Sequence, residues 1–232
     1  LMMGAKKRGH LTYFISPNGL SLKNSTLQIE ATLVEAHPER KPPFQLHDTV
    51  TLTADELDVL WIRTDPPFND LYLTNTWLLD HAKKPFIINS PSGIRTVNEK
   101  IWGAQFKDLV PPTLITSKKS VFREFLGEHN HVVLKPTDGF GGQGIFLCRS
   151  EDSNANVAFE LLSHNETRHV VIQKAIPDAQ VGDKRILLLN GEPLGAVLRV
   201  HGSRDHRNNF FAGGLPQATS ISNRDLDIVT TL

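Results

Sequence analysis

The chain has 232 residues with 25 Lys+Arg against 25 Asp+Glu, a formal net charge of zero, and so lacks the cationic surplus that duplex nucleic acid or an anionic membrane demands. Hydrophobic residues at 39% and charged residues at 22% describe a folded chain rather than a disordered one, long enough for one large domain or two small ones. The single cysteine, Cys148, cannot close an internal disulfide and excludes a Cys-rich zinc site, which points to a reducing, cytoplasmic setting.

Residues 1–8 read as the end of an amphipathic helix capped by Gly9, and 11–15 as a strand. Asn18-Gly19 predicts a turn, residues 26–35 a second strand, and Lys41-Pro42-Pro43 breaks the pattern. Residues 58–63 form an apolar run of buried-strand type that ends in a stiff loop, Thr64-Asp65-Pro66-Pro67-Phe68. Residues 69–84 predict a helix with Leu71, Leu78, Leu79 and Ala82 near one face, 86–89 a second buried strand, and 92–106 another helix.

The character changes near 95–112, dividing the chain into domains at 1–95 and 96–232. Residues 114–116 lead into a helix with Ser117 as its N-cap. Four β runs follow at 132–135, 145–149, 170–175 and 185–189. Asn190-Gly191 predicts a hairpin turn, and 194–200 return. Residues 201–216 are polar and unpatterned, the character of a mobile lid, and 223–232 are helical. The expected architecture is α/β (α+β), and both ends read as interior to a longer chain.

Gly139-Phe140-Gly141-Gly142-Gln143-Gly144 fits G-x-G-x-x-G, but a strand follows it where a dinucleotide fold needs a helix. A glycine loop joining two strands suits a flap over phosphates instead, because its backbone N–H groups approach oxygen without Cβ clashes. Lys135 lies four residues upstream, at the end of Val132-Val133-Leu134-Lys135-Pro136. Arg185 opens one apolar strand and Arg199 nearly closes its hairpin partner, placements that suit carboxylate or phosphate, although any one of these cations alone reads as a solubilising strand end.

Together, Lys135-Pro136 with its glycine flap, Gln173, Pro177 and Gly182-Asp183-Lys184-Arg185 resemble the ATP-grasp fold. Ile62-Arg63-Thr64-Asp65-Pro66-Pro67-Phe68, Asn98-Glu99-Lys100, Asn190-Gly191-Glu192-Pro193, Arg207-Asn208-Asn209 and Ala212-Gly213-Gly214 narrow the resemblance to the bacterial glutathione synthetases, in the right order over essentially the whole chain. The resemblance implies an N-terminal pre-ATP-grasp domain followed by an ATP-grasp domain with antiparallel sheets and helices. It implies that Lys100 and Lys135 bind ATP phosphates beneath Gly139, Gly141, Gly142 and Gly144. Gln173, Lys174 and Ile176 would border the adenine, the last two through backbone groups, and Asp183 would lie near the sugar. Arg185, Arg199 and Arg207 would contact the acyl phosphate or peptide substrate as catalytic residues, with Arg63 and Asn209 on the substrate side.

The implied reaction joins γ-glutamylcysteine and glycine, with ATP and magnesium, or manganese in its place, in a cytoplasmic homotetramer that binds neither nucleic acid nor membrane. The metal ligands and catalytic competence would then lie beyond residue 232. Two departures stand out: Ala175 occupies a position where the family usually has an aromatic, and Asn208 one where it usually has glycine. The alternatives are another ATP-grasp carboxylate–amine ligase and a non-catalytic nucleotide-binding module.

Other candidates carry blander readings. His201, Asp205 and His206 fit no common ligand spacing, and Cys148 lies inside an apolar strand as a small core residue. Ser90-Pro91-Ser92-Gly93 reads as a turn and helix cap, and Trp61, Trp77 and Trp102 read as core residues.

Overall fold

The computed structural model describes residues 1–200, 210 and 213–232, in two compact units, Leu1–Val97 and Asn98–Leu232. In the first unit, α1 (Met2–Lys7) ends at Gly9, whose φ is 76°. Gly9 N–H reaches Lys6 C=O at 3.0 Å and His10 N–H reaches Ala5 C=O at 3.1 Å, which satisfies the last carbonyls across a left-handed residue.

An antiparallel sheet follows, in the order β1 (Tyr13–Lys23), β2 (Thr26–Ala36), β3 (Phe44–Thr53). Asn18-Gly19 does not turn the chain. It lies inside β1, where the pairing with β2 slips between Ile15 and Leu20. A Cβ on Gly19 would stand 3.0 Å from Glu30 C=O, so glycine serves a close approach at this bulge. The turn falls instead at Asn24 and Ser25, with φ of 50° and 63°, the doubly positive pair of a type I′ hairpin. β3 has no counterpart in the predicted elements. It is an exposed edge strand whose polar positions at 45, 47–49, 51 and 53 dilute the apolar alternation.

β4 (Val59–Trp61) and β5 (Phe86–Ile88) pair in parallel across α2 (Asp70–Leu79), which Asn69 caps by accepting Tyr72 N–H at 3.0 Å. Only Leu60 of β4 is buried, so this strand is not the fully buried one expected. The helix expected over 92–106 breaks after α3 (Pro91–Thr96): β-branched Thr96 and Val97 give way to an Asx turn in which Asn98 Oδ1 accepts Lys100 N–H and Ile101 N–H, each at 3.0 Å. A single 3₁₀ turn, Trp102–Gln105, remains of it in the second unit. Leu27, Ile29, Ala31, Ala54, Leu60 and Leu79 form the first core.

The second unit opens with β6 (Thr113–Thr116), α4 (Lys119–His129), β7 (His131–Pro136), β8 (Phe146–Arg149), α5 (Ala155–Ser163) and β9 (Val170–Lys174). The strands form an antiparallel sheet in the order β6-β9-β7-β8. Phe122 and Leu126 of α4 and Ala155, Ala158 and Phe159 of α5 bury one face of it against Val132, Leu134, Cys148, Val170 and Ile172. Phe122 and Phe159 stack at 4.6 Å between centroids. Ser117 does not cap α4: Lys118 N–H goes to Thr116 Oγ1 at 3.0 Å, and Lys119 N–H to Glu166 Oε1 at 2.6 Å.

β10 (Asp183–Leu189), β11 (Glu192–Val200) and β12 (Leu215–Ala218) make a further antiparallel sheet, turned at Asn190 and Gly191 as expected. Residues 215 and 216 therefore belong to a strand, not to an unpatterned stretch. α6 (Asn223–Thr231) starts from a capping box between Ser222 and Asp225, and Lys184 Nζ reaches Asp225 Oδ2 at 2.7 Å. Trp61 and Trp77 are about half exposed, Trp102 packs edge-on against Phe106, and none of the three joins either core, contrary to expectation. Among the described residues no helix is long and apolar enough to cross a membrane.

Candidate nucleotide site

Strand alternation sorts the side chains of the β6-β9-β7-β8 sheet. Val132 and Leu134 point into the core, so His131, Val133 and Lys135 occupy the opposite face. Gln173 stands across from Val133, and Thr113 across from Gln173. Lys135 Nζ donates to Gln173 Oε1 at 2.6 Å, Gln173 Nε2 donates to Thr113 Oγ1 at 3.0 Å, and Thr113 Oγ1 donates to Pro111 C=O at 2.7 Å. This relay fixes which end of the Gln173 amide meets the ammonium. Among the described residues no carboxylate forms an ion pair with Lys135.

Burial holds the Lys135 ammonium below the usual lysine range, and the neighbouring Lys100 charge pushes it further down. Lys100 Nζ donates to Gly139 C=O and to Glu99 Oε1, whose side chain is largely exposed. Two like charges therefore share a partly buried place in which the inner one meets only a neutral amide. An anion bound between them relieves their repulsion.

The glycine loop folds back beside these cations. Gly141, Gly142 and Gly144 have φ of 61°, 83° and 66°, conformations that a side chain would strain. A Cβ on Gly139 would run into Pro136 Cγ, and one on Gly144 would stand 3.2 Å from the same atom. The loop thus lies over Pro136, next to Lys135, and Lys100 ties its carbonyl at Gly139 to the cation pair. Successive left-handed residues turn backbone N–H groups to one side, which suits phosphate oxygen.

At the other end of β9, Lys174 N–H donates to Pro112 C=O at 3.0 Å. Pro112 has no N–H and cannot return the ladder bond, so the Lys174 carbonyl takes no donor from β6. Ala175 N–H turns the other way, to His131 C=O at 2.9 Å, which brings the Ile176 backbone to the same edge as that of Lys174. An acceptor and a donor two residues apart on one edge match the amino group and ring nitrogen of adenine. Pro112 and Thr113 were not among the residues singled out from the sequence, where the Pro111-Pro112 pair was the available signal.

On the second sheet, Asp183 pairs with Arg199 and Arg185 with Val197, which puts all three charged side chains on one face. Arg199 is 9% exposed, donates from Nε to Asp183 Oδ1 at 2.6 Å, and stands 5.8 Å from the Phe210 ring centroid. Its charge is therefore already compensated, whereas Arg185 is exposed. Arg63 is exposed just beyond β4 in the first unit. Arg207, Asn209, His201, Asp205, His206 and most of the expected lid lie outside the described residues.

Cys148 is buried in β8, and its thiol is pushed up to about 11 by burial and by Asp152, as suits a core residue. Ser90 caps α3, accepting Gly93 N–H at 3.3 Å. Among the described residues no group of three or more His, Cys, Asp or Glu gathers at one place.

Residues 1–95 match the family described as prokaryotic glutathione synthetase, N-terminal domain, and residues 99–232 match its ATP-grasp domain. The glutathione synthetase of Gloeobacter violaceus is 37% identical over 98% of this chain and 72% of its own length. That of Nostoc is 35% identical over all of this chain and 75% of its own length. Among solved structures, D-cycloserine synthetase shares the fold with a TM-score of 0.54 at 17% identity, over 68% of this chain and 57% of that one.

Proposed function

The chain belongs to the prokaryotic glutathione synthetase family, and from that premise we propose that its second unit holds ATP along the exposed face of the β6-β9-β7-β8 sheet. The chain is an ATP-dependent carbon–nitrogen ligase of the ATP-grasp type, and its reaction is glutathione synthesis. Relatives of one name along nearly the whole chain leave neither another ligase nor a non-catalytic module favoured.

Lys135 and Lys100 neutralise the phosphates, and the N–H groups of Gly139, Gly141, Gly142 and Gly144 cover them. Gln173 holds Lys135 in place, and the Lys174 carbonyl and Ile176 N–H take the adenine edge. The observation that carries this reading is the Lys135 ammonium, held low by burial and by Lys100 while bonded to a neutral amide. Such a group gains most from an anion.

The carboxylate of γ-glutamylcysteine takes the terminal phosphoryl group of ATP and becomes an acyl phosphate. The amine of glycine attacks the acyl carbon, phosphate leaves, and ADP and glutathione result. Arg185 supplies charge to the anionic substrate or phosphate, Arg199 and Arg207 complete that side, Asp183 lies near the nucleotide sugar, and Arg63 and Asn209 contact the peptide. The loop excludes water, which would otherwise hydrolyse the acyl phosphate. Magnesium, or manganese in its place, would neutralise the phosphates further. No step here runs through it. A cytoplasmic homotetramer is part of the proposal on the strength of the family resemblance.

The test is calorimetry with ATP and with inorganic tripolyphosphate on the full-length protein. Lys135→Ala is expected to weaken both by about 1.5–3 kcal/mol without lowering the melting temperature. Unchanged affinities in a folded variant would overturn the site.

A further inference from the structure

Residues 98–100 meet the entrance of the glycine loop through two side-chain donors set two residues apart. Asn98 Nδ2 donates to Thr137 C=O at 3.3 Å, and Lys100 Nζ donates to Gly139 C=O. The acceptors are also two residues apart, so the short segment and the loop are tied at two points. Thr137 is the first residue beyond β7, two positions after Lys135. The Asn98 bond therefore holds the loop where it leaves the strand that carries the other cation.

The oxygen of the same amide builds the turn beneath Lys100. Oδ1 accepts Lys100 N–H and Ile101 N–H, each at 3.0 Å, and Asn98 C=O accepts Trp102 N–H at 2.9 Å. Three successive backbone N–H groups thus return to one residue, which sets the direction in which the Lys100 side chain leaves the chain. An amide alone serves both ends: aspartate accepts in the turn but has no N–H for Thr137, and serine is one atom shorter.

Lys100 needs such support, because its charge and that of Lys135 repel. A bound phosphate competes with Gly139 C=O for the Lys100 ammonium, whereas the bond from Asn98 to Thr137 joins two neutral groups and is not competed for. We infer that Asn98 is a positioning residue, which fixes the Lys100 turn against the loop entrance and so keeps the cation in place both before and after phosphate arrives. This rests on the nucleotide site proposed above; Asn98 acts through Lys100 and need not touch the nucleotide.

The experiment is calorimetry with inorganic tripolyphosphate on the full-length protein, for Asn98→Ser, Lys100→Ala and the double variant. Asn98→Ser keeps a turn-forming hydroxyl, adds no charge and removes the donor to Thr137. Its Kd should rise about 10-fold while the number of sites per chain stays the same. A purely structural defect would instead lower the number of sites and leave the Kd of the remainder unchanged. In the Lys100→Ala background the serine substitution should add less than about 2-fold, because the residue it positions is gone. An unchanged Kd in Asn98→Ser, a loss confined to the number of sites, or additive losses in the double variant would overturn the role of Asn98. A second measurement needs no substitution: the Asn98 side-chain amide protons should stay protected from solvent exchange when tripolyphosphate is added, and loss of that protection would show that the tether lets go in the loaded protein, which also overturns the role. Lys100→Ala alone separates this from failure of the site: it should weaken tripolyphosphate, and if it does not, the nucleotide site is wrong.

Discussion

Lys135 Nζ and Gln173 Oε1 meet at 2.6 Å across the β7–β9 ladder, a cation against a neutral amide where a carboxylate would fit equally well. The arrangement positions the ammonium without cancelling its charge. Gln173→Glu should keep the fold, because a carboxylate can accept from Lys135 and the Thr113 hydroxyl can swing from Pro111 C=O to donate to it. It should weaken ATP binding by roughly 10-fold or more, since phosphate then competes with an internal ion pair. Calorimetry at matched ionic strength measures it, and unchanged affinity would contradict the role given to the neutral partner.

The lowered Lys135 ammonium also predicts a pH dependence. An anion binds the protonated form, so ATP affinity should fall as pH rises through the depressed value, below the 10.5 of an ordinary lysine. A titration of affinity from about pH 7 upward should show this decline in the wild type and a flatter profile in Lys135→Ala. Parallel profiles would assign the decline to another group.

Cys148 should ignore thiol reagents in the native protein. Its burial and its thiol pushed up to about 11 leave little thiolate to react. Labelling should track unfolding in a denaturant series; fast labelling of native protein would show that β8 opens.

Asp225 offers a test of the second sheet's support. Lys184 Nζ, with the N–H and hydroxyl of Ser222, holds its carboxyl down to about 2. A depressed carboxylate stabilises above its ordinary value of 3.8, and the contribution is lost as pH falls through about 2. Asp225→Asn should therefore lower the melting temperature near neutrality, by a margin that shrinks on acidification across that window. A margin independent of pH would assign the effect to something other than the charge.

Local chemistry made much of this legible in the sequence. Lys135-Pro136 and the glycine loop sit beside one another in the chain, and Gly9 and Asn190-Gly191 act through their own backbone angles. What stayed hidden depends on distant residues. Ser117 looks like a cap, but Glu166 takes the helix N–H of Lys119, 47 positions away in the chain, instead. Asn18-Gly19 looks like a turn until β2 is placed across from it. Exposed β3 dilutes its apolar alternation with polar positions. The one-sided bond at Pro112 exists only once the ladder sets register.

The central claim is that the Lys135–Lys100 face powers glutathione synthesis. The most direct measurement is glutathione formed against ADP released by the full-length protein, given ATP, γ-glutamylcysteine and glycine, in the wild type and in Gln173→Glu. The wild type should release one ADP per glutathione and need both amino substrates. Gln173→Glu should do the same chemistry with a raised KM for ATP. ADP release without γ-glutamylcysteine at the full rate, or a variant whose ATP dependence matches the wild type, would contradict the account.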